Sequence, residues 1–110
     1  MKSLVLVDTS SWTQALRRNG NQVVRDRVLS LMGDDRAAWC EPVRLELWKG
    51  ASSQKDYQTL QQMEVKLVRL PISNEVWNLA CQIATTARGA GLPVPTIDII
   101  IFACAQIHRV

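Results

Sequence analysis

The sequence predicts an α/β domain built on a parallel sheet whose strands are joined by right-handed crossovers through helices. Three observations support this: short apolar segments alternate with longer amphipathic ones, Gly, Pro or Asn separates them, and the first apolar segment has no polar face. Strands of parallel sheets are covered by helices on both faces, so they are apolar on both sides. At 110 residues, 47% hydrophobic and 21% charged, the chain should form one globular domain.

Three short apolar segments are predicted to form the strands, namely residues 3–7, 37–40 and 66–70. The first lacks polar residues after Ser3, and the third alternates and stops before a proline. In layered α/β folds the functional residues lie at the carboxyl ends of the strands. Asp8 directly follows the first strand, so it is predicted to lie at that edge of the sheet.

Helices are predicted between and after these strands, from apolar positions at helical spacing and from recognisable caps. They are a short helix ending at residue 18, then 22–32, 42–49, 53–65, 74–88 and 97–108. The predicted N-cap residues are Thr9 or Ser10 for the first helix, Ser53 with Asp56 as a capping box, Ser73 and Thr96. Pro42 suits a first helical turn. The last helix is apolar enough to be buried on most sides.

Cysteine, histidine and tryptophan usage excludes several kinds of site. Three cysteines without CxxC spacing and a single histidine, His108, argue against a disulfide framework, a zinc site or a Ser–His or Cys–His nucleophile. All three thiols are predicted to be buried as small hydrophobes: Cys40, Cys81 and Cys104. The four tryptophans lie in apolar patterns and are predicted to anchor the core: Trp12, Trp39, Trp48 and Trp77.

Charge and hydropathy indicate where the protein acts and what it binds. A net charge of +3 and a pI near 9 lean only weakly toward an anionic partner. The apolar segment before Asp8 is too short for a signal peptide, and the run at 99–105 is too short to span a membrane. A cytoplasmic protein without membrane contact is expected.

Three acids lie in apolar surroundings at the predicted carboxyl edge of the sheet. Asp8 ends the first strand, Glu46 lies in the helix after the second strand, and Asp98 lies in the first turn of the last helix. Singly, each has an ordinary structural explanation, such as capping or a helix-dipole contribution of about 0.3–1 kcal/mol. Together they would repel one another, and a divalent cation would relieve that repulsion. Oxygen ligands favour Mg²⁺ or Mn²⁺ over zinc. A metal-bound water suits phosphodiester hydrolysis.

The segments VLVDTSSW, EPVRLELWKGA and GLPVPTIDIIIFACA resemble, in order and spacing, the PIN domain, specifically the VapC-type toxins of toxin–antitoxin pairs. The resemblance covers essentially the whole chain and implies a three-layer PIN-like fold. It also implies an Mg²⁺-dependent endoribonuclease that hydrolyses RNA. Such toxins form homodimers and are held inactive by a VapB-like antitoxin, whose C-terminal segment lies near the acids and often presents an arginine.

The resemblance also implies roles for individual residues. Asp8, Glu46 and Asp98 match the first three metal-binding acids of the family, and Ser10 matches a hydroxyl that helps to orient water or phosphate. Thr9 is expected to hold the turn. The predicted catalytic residues are therefore Asp8, Glu46, Asp98 and Ser10.

The chain departs from the family pattern at its C-terminal end. In the family, the helix with the third acid leads into another strand and a segment carrying a fourth acid, whereas this sequence stops at Val110. We therefore expect a single PIN-like domain over 1–110, with about three strands present and the C-terminal strands missing. The first strand would keep one unpaired edge, which a homodimer or swapped oligomer would cover. Weak Mg²⁺ binding and reduced activity are also expected.

Two other classes of function are considered. One is a catalytically weak PIN-like module that binds an antitoxin or RNA; unchanged toxicity of an Asp8→Asn variant would favour it. The other is a phosphoryl-transfer or receiver domain, since these also end their first strand on Asp. Aspartate-nucleophile phosphatases need a second Asp where Ser10 stands, and receivers need paired acids before the first helix, so this class is remote. The RNA target is not predicted from the sequence.

Overall fold

Three strands and six helices follow one another along the part of the chain that the structure describes. The structure is a computed structural model and describes residues 3–110. The elements are β1 (Val5–Leu6), α1 (Thr9–Leu16), α2 (Gln22–Gly33), β2 (Ala37–Cys40), α3 (Glu41–Lys49), α4 (Gln54–Lys66), β3 (Val68–Leu70), α5 (Asn74–Gly89) and α6 (Thr96–His108).

The three strands form one parallel sheet in the order β1-β2-β3. Val5 pairs with Ala37 in the first ladder, and Cys40 pairs with Leu70 in the second. β2 is central, and all of its residues are buried, as expected for a strand with helices on both faces. The predicted parallel α/β fold with about three strands is confirmed. Within the described residues β1 pairs on one side only.

Two of the predicted strands are longer than the observed ones. β1 covers only Val5–Leu6 of the predicted 3–7, although the amide of Val7 still donates to the Ala38 carbonyl at 3.2 Å. β3 starts at Val68 because α4 continues through residue 66 and its C-cap follows directly. The alternating pattern of KLVRL therefore includes the end of a helix, which a period-2 pattern does not reveal.

The helix caps agree with the sequence at three positions and differ at two. Ser73 caps α5, Pro42 lies in the first turn of α3, and the capping box of α4 is complete. Asp8, rather than Thr9 or Ser10, caps α1, so that prediction was wrong. Thr96 does not cap α6 either, because the extended residue before it is Pro95, which makes no side-chain bond.

The core contains two of the four tryptophans and two of the three thiols. Trp12 and Trp39 are fully buried. Trp48 is half-buried, whereas Trp77 is 48% exposed on α5, so the prediction of a core anchor was wrong there. Cys81, also on α5, is exposed as well. The helix is packed along one stripe only, and both residues lie outside it.

The two remaining thiols are buried side by side and protonated. Burial raises the pKa of Cys40. Burial together with the neighbouring Cys40 raises the pKa of Cys104 to about 12. Both therefore act as small apolar groups, as predicted.

A groove runs along the free edge of β1, between α2 and α6; we call it the β1 groove. Its volume is about 520 Å³, and its walls include Leu6, Val24 and Phe102. Phe102 is 54% exposed because no element of the described chain covers this side of β1. The prediction that α6 is buried on most sides was therefore wrong for the face that lines the groove.

None of the helices in the described part of the chain is both long and apolar enough to cross a membrane.

An ionic cluster fastens α3, α4 and β3 together and so fixes the helix that carries Glu46. The Glu64 carboxylate accepts hydrogen bonds from Arg44, from Arg69 at 2.8 Å and from the Trp48 indole at 3.1 Å. Arg44 and Arg69 also pair with Glu41 at 3.3 and 3.1 Å. Burial works to raise the pKa of Glu64, but the hydrogen bond from Arg44 and the other donors outweigh it and lower the pKa.

Glu64→Gln is expected to lower the free energy of unfolding by about 1–2 kcal/mol, because a charge-assisted cluster loses its central anion. Since the folded-state pKa is lowered, the contribution of Glu64 is present above its unfolded value of about 4.3 and is lost as pH falls through the folded value. Urea denaturation at pH 7 and pH 3 should show the difference between wild type and variant shrinking at the lower pH.

The control is Glu75→Gln, which removes a carboxylate that makes no side-chain bond with the described residues. It should change stability by a few tenths of a kcal/mol. Equal losses for the two variants would contradict a stabilising role of the cluster.

Candidate active site

Asp8 lies between β1 and α1, and its carboxylate caps α1. As the N-cap residue, it accepts a hydrogen bond from the Ser11 amide at 2.9 Å. The Ser10 hydroxyl donates to the same oxygen, Oδ1, at 3.3 Å. Burial works to raise the pKa of Asp8, but the hydrogen bonds from Ser11 and Ser10 outweigh it and lower the pKa. Asp8 is therefore ionised at neutral pH, with Oδ2 free of these bonds.

Asp98 lines the same groove as Asp8 but comes from a different element, α6. It lies in the first turn of α6 and is exposed, and both acids line the β1 groove. No hydrogen bond or ion pair joins its carboxylate to any residue between 3 and 110. A carboxylate at a helix N-terminus is favoured by the helix dipole, and here it keeps all its oxygen lone pairs available.

Glu46 lies beside Asp8 but turns toward a different groove. Its Oε1 accepts a hydrogen bond from the Thr9 hydroxyl at 2.7 Å, and Thr9 is the residue after Asp8 at the start of α1. Glu46 lines a groove between α1, α3 and α4, not the β1 groove. The sequence pattern assigned Thr9 to the turn and missed this contact. The signal that could have found it is that α1 and α3 both start at the carboxyl edge of the sheet.

The donor chemistry of these residues fits a hard divalent cation. Asp8 and Asp98 supply carboxylate oxygens to one groove, and Mg²⁺ in proteins is commonly held by one or two carboxylates with water and phosphate oxygens completing its shell. Among the described residues, no group of three His, Cys, Asp or Glu side chains is close enough together to hold one ion. The structure thus brings Asp8 and Asp98 into one groove and places Glu46 in the adjacent one.

The fold and the site together define an α/β domain of three parallel strands in which Asp8, just after the first strand, and Asp98 line one groove. The sequence matches the family model of the PIN domain over residues 5–110. The chain therefore belongs to the PIN domain family, and its curated relatives place it with the VapC-type proteins of that family.

Two relatives from Mycobacterium tuberculosis illustrate the similarity. The chain is 35% identical to Ribonuclease VapC18 over 105 residues, which cover 92% of this chain and 74% of that protein. It is 31% identical to Ribonuclease VapC11 over 109 residues, which cover 96% of this chain and 81% of that protein.

Solved structures show the same fold at lower identity. The crystal structure of FitAcB from Neisseria gonorrhoeae superposes with a TM-score of 0.71 at 21% identity, over 97% of this chain and 84% of that one. VapBC2 from Rickettsia felis, bound to a DNA fragment from its promoter, gives 0.71 at 15% identity, over 94% of this chain and 80% of that one.

Because Asp8 both caps α1 and carries a candidate ligand, two substitutions separate these roles. Asp8→Ala removes the cap and should lower the free energy of unfolding by about 1 kcal/mol, whereas Asp8→Asn keeps a good N-cap and should cost a few tenths. Urea denaturation at pH 7 measures both.

The pH dependence provides a further check. Because the pKa of Asp8 is lowered in the folded state, its contribution to the free energy of unfolding is present above its unfolded-state pKa of about 3.9. That contribution is lost as pH falls through its folded-state pKa. The gap between wild type and Asp8→Ala should therefore narrow below about pH 4. Equal stability of the Ala and Asn variants at pH 7 would show that the cap contributes nothing.

Proposed function

We propose that this protein is a metal-dependent endoribonuclease toxin that hydrolyses RNA phosphodiester bonds and is inhibited by a VapB-like antitoxin. The observation that carries the proposal is the β1 groove, which is lined by both Asp8 and Asp98, the latter with no hydrogen bond or ion pair to its carboxylate within residues 3–110. Relatives named as ribonucleases support the activity. The structural neighbours named VapBC2 and FitAcB support an antitoxin partner.

Mg²⁺ or Mn²⁺ would be held by Asp8 and Asp98, with Glu46 as the third acid. Bound there, the ion would lower the pKa of a water molecule and neutralise charge on the phosphate. The protein's own contribution begins with Asp8, which the Ser11 amide holds ionised and fixed in direction. The Ser10 hydroxyl lies against the same carboxylate and can turn to a phosphate oxygen or a water. Thr9 holds Glu46 within the neighbourhood of Asp8.

The isosteric variants Asp8→Asn, Glu46→Gln and Asp98→Asn should each lower the rate of RNA cleavage by about a hundredfold or more, because a metal ion supplies several kcal/mol and each 1.36 kcal/mol is tenfold. Cleavage of a labelled RNA should also stop on adding EDTA and return with Mg²⁺ or Mn²⁺. The measurement is the single-turnover rate on one RNA for all variants.

The control variant is Glu75→Gln, which carries the same chemical change on the exposed first turn of α5. It should cleave like the wild type. Full cleavage by Asp98→Asn, or full cleavage in EDTA, would contradict the proposed metal centre.

A second candidate function is a PIN-like module that binds RNA or an antitoxin with little catalysis. It is favoured by the placement of Glu46 outside the β1 groove, since the described residues hold no three-acid cluster. Expression of Asp8→Asn distinguishes the two: loss of toxicity supports hydrolysis, whereas unchanged toxicity with retained binding supports the module.

The β1 groove also supports a homodimer or swapped oligomer as a property of this chain. β1 has one unpaired edge within the described residues, and unpaired edges pair readily with another chain. Apolar side chains border it on both sides, since Val23 is 74% and Phe102 is 54% exposed. A second copy that covered the unpaired edge of β1 and these two side chains would remove both features from water.

Phe102→Ser should therefore weaken self-association in light scattering at high micromolar concentration, because an apolar anchor of the covered surface is lost. Trp77→Ser is the matched control, since it removes an equally exposed aromatic residue on α5, outside the groove. A monodisperse wild-type monomer would overturn the oligomer.

A further inference from the structure

The second groove, which Glu46 lines, has an unusual charge distribution. It lies between the end of α1, the end of α3 and the first turns of α4, and its volume is about 520 Å³; we call it the α1–α4 groove. Arg17 and Arg18 line it from one side and Lys55 from the other. All three are exposed.

These three cations have no partner among residues 3–110. Within the described part of the chain, no hydrogen bond or ion pair engages the side chains of Arg17, Arg18 or Lys55. Elsewhere the chain does use its cations structurally, as with Arg44 and Arg69 in the cluster around α3 and α4. Unpaired cations gathered in one groove are available to an external anion.

The two acids in the same groove are already engaged by other groups. Glu46 accepts from the Thr9 hydroxyl. Asp56 accepts from the amides of Ser52 and Ser53 at 3.0 and 3.3 Å, as part of the capping box of α4. The hydrogen bond from the Ser52 amide lowers the pKa of Asp56, so its charge is stabilised by the helix start. Neither acid forms an ion pair with the three cations.

Glu46 connects the groove to the candidate active site. It lines the groove, and the Thr9 hydroxyl ties it to the start of α1, next to Asp8. A chain molecule with one group at the acids would then pass Glu46 on its way to the cations. The remaining walls contain no aromatic residue, so base stacking cannot supply the affinity here and ionic contact with a backbone can.

We propose that the α1–α4 groove binds the sugar–phosphate backbone of single-stranded RNA beside the cleavage point, with Arg17, Arg18 and Lys55 contacting phosphates. The inference rests on the proposed function, because it takes RNA as the substrate of the neighbouring acids. An acidic segment of a partner protein would satisfy the cations equally well. RNA is favoured because its repeating phosphates would continue past the cations and place one phosphate beside acids suited to a metal ion.

The test measures binding of labelled oligouridylate in EDTA by fluorescence anisotropy, over a series of salt concentrations. EDTA removes divalent metal, so binding is followed apart from cleavage. The triple variant Arg17→Gln, Arg18→Gln, Lys55→Gln should lose at least tenfold in affinity at low salt. The slope of log affinity against log salt should become shallower by about 0.7 per lost contact, so by about 2 for three.

The control variant Lys49→Gln, Arg88→Gln, Arg109→Gln removes the same charge from exposed side chains outside this groove. It should keep the wild-type slope. An unchanged slope in the groove variant, or an equal change in the control, would overturn the proposal. So would polyglutamate that binds wild type as tightly as the RNA does and loses that binding in the groove variant.

A second measurement separates this inference from the proposed function. With Mg²⁺ present, the groove variant should raise KM for the same oligonucleotide and leave kcat near the wild-type value, because the groove binds but does not react. Salt-dependent binding without any cleavage would leave the groove proposal standing and contradict the nuclease. Normal cleavage with an unaltered KM in the groove variant would support the nuclease and contradict the groove proposal.

Discussion

The hydrogen bond from the Ser11 amide to the Asp8 carboxylate fixes the geometry on which the rest of the site depends. Asp8 follows β1 closely and caps α1, so the acid cannot move without uncapping the helix. Because one oxygen is held by Ser11 and Ser10, the other remains for a ligand. A single carboxylate thus both stabilises the fold and presents charge at the rim of the sheet.

The two grooves lie on either side of the start of α1. On one side, Asp8 and Asp98 line the β1 groove. On the other, Thr9 holds Glu46 at the end of the α1–α4 groove. α1 packs against α3, and the cluster around Glu64 keeps α3 against α4 and β3. The distance between the third acid and the other two is therefore controlled by how α3 is held, which is why an ionic cluster remote from the acids bears on the site.

The sequence predicted the architecture well because parallel sheets have strong local signals. Apolar segments with no polar face, caps such as Ser73 and breaks at Gly and Pro each act over a few residues. The predictions that failed are those in which a residue distant in sequence determines the contact or the burial of a side chain. Asp8 caps α1, and the Thr9 hydroxyl donates to Glu46 instead. Glu46 is on another helix, so no pattern within α1 indicates this contact. Likewise, Phe102 is exposed because no element of the described chain covers the free edge of β1, and the pattern within α6 does not contain that information.

The sequence indicates which acids are candidates for the site but not how their side chains are arranged. The order of Asp8, Glu46 and Asp98 along the chain indicates that each lies at the carboxyl edge of the sheet. Asp8 caps α1 and Asp98 lies in the first turn of α6, whereas Glu46 lies in the second half of α3. Whether three carboxylates share one groove depends on side-chain direction. Glu46 is on an exposed face of α3 and turns to the nearest hydroxyl donor. Rotamer choice of this kind is set by tertiary contacts that a spacing argument does not contain.

The separation of charge between the two grooves gives a physical reason for their different roles. The β1 groove carries two acids with Arg27 as its only lining cation among the described residues, so it would repel a polyanion unless a divalent ion were bound. The α1–α4 groove carries three unpaired cations and attracts the same polyanion without any metal. Binding and hydrolysis would then depend on different side chains that meet at Thr9 and Glu46. A substitution there would affect both processes, whereas one in either groove would affect only one.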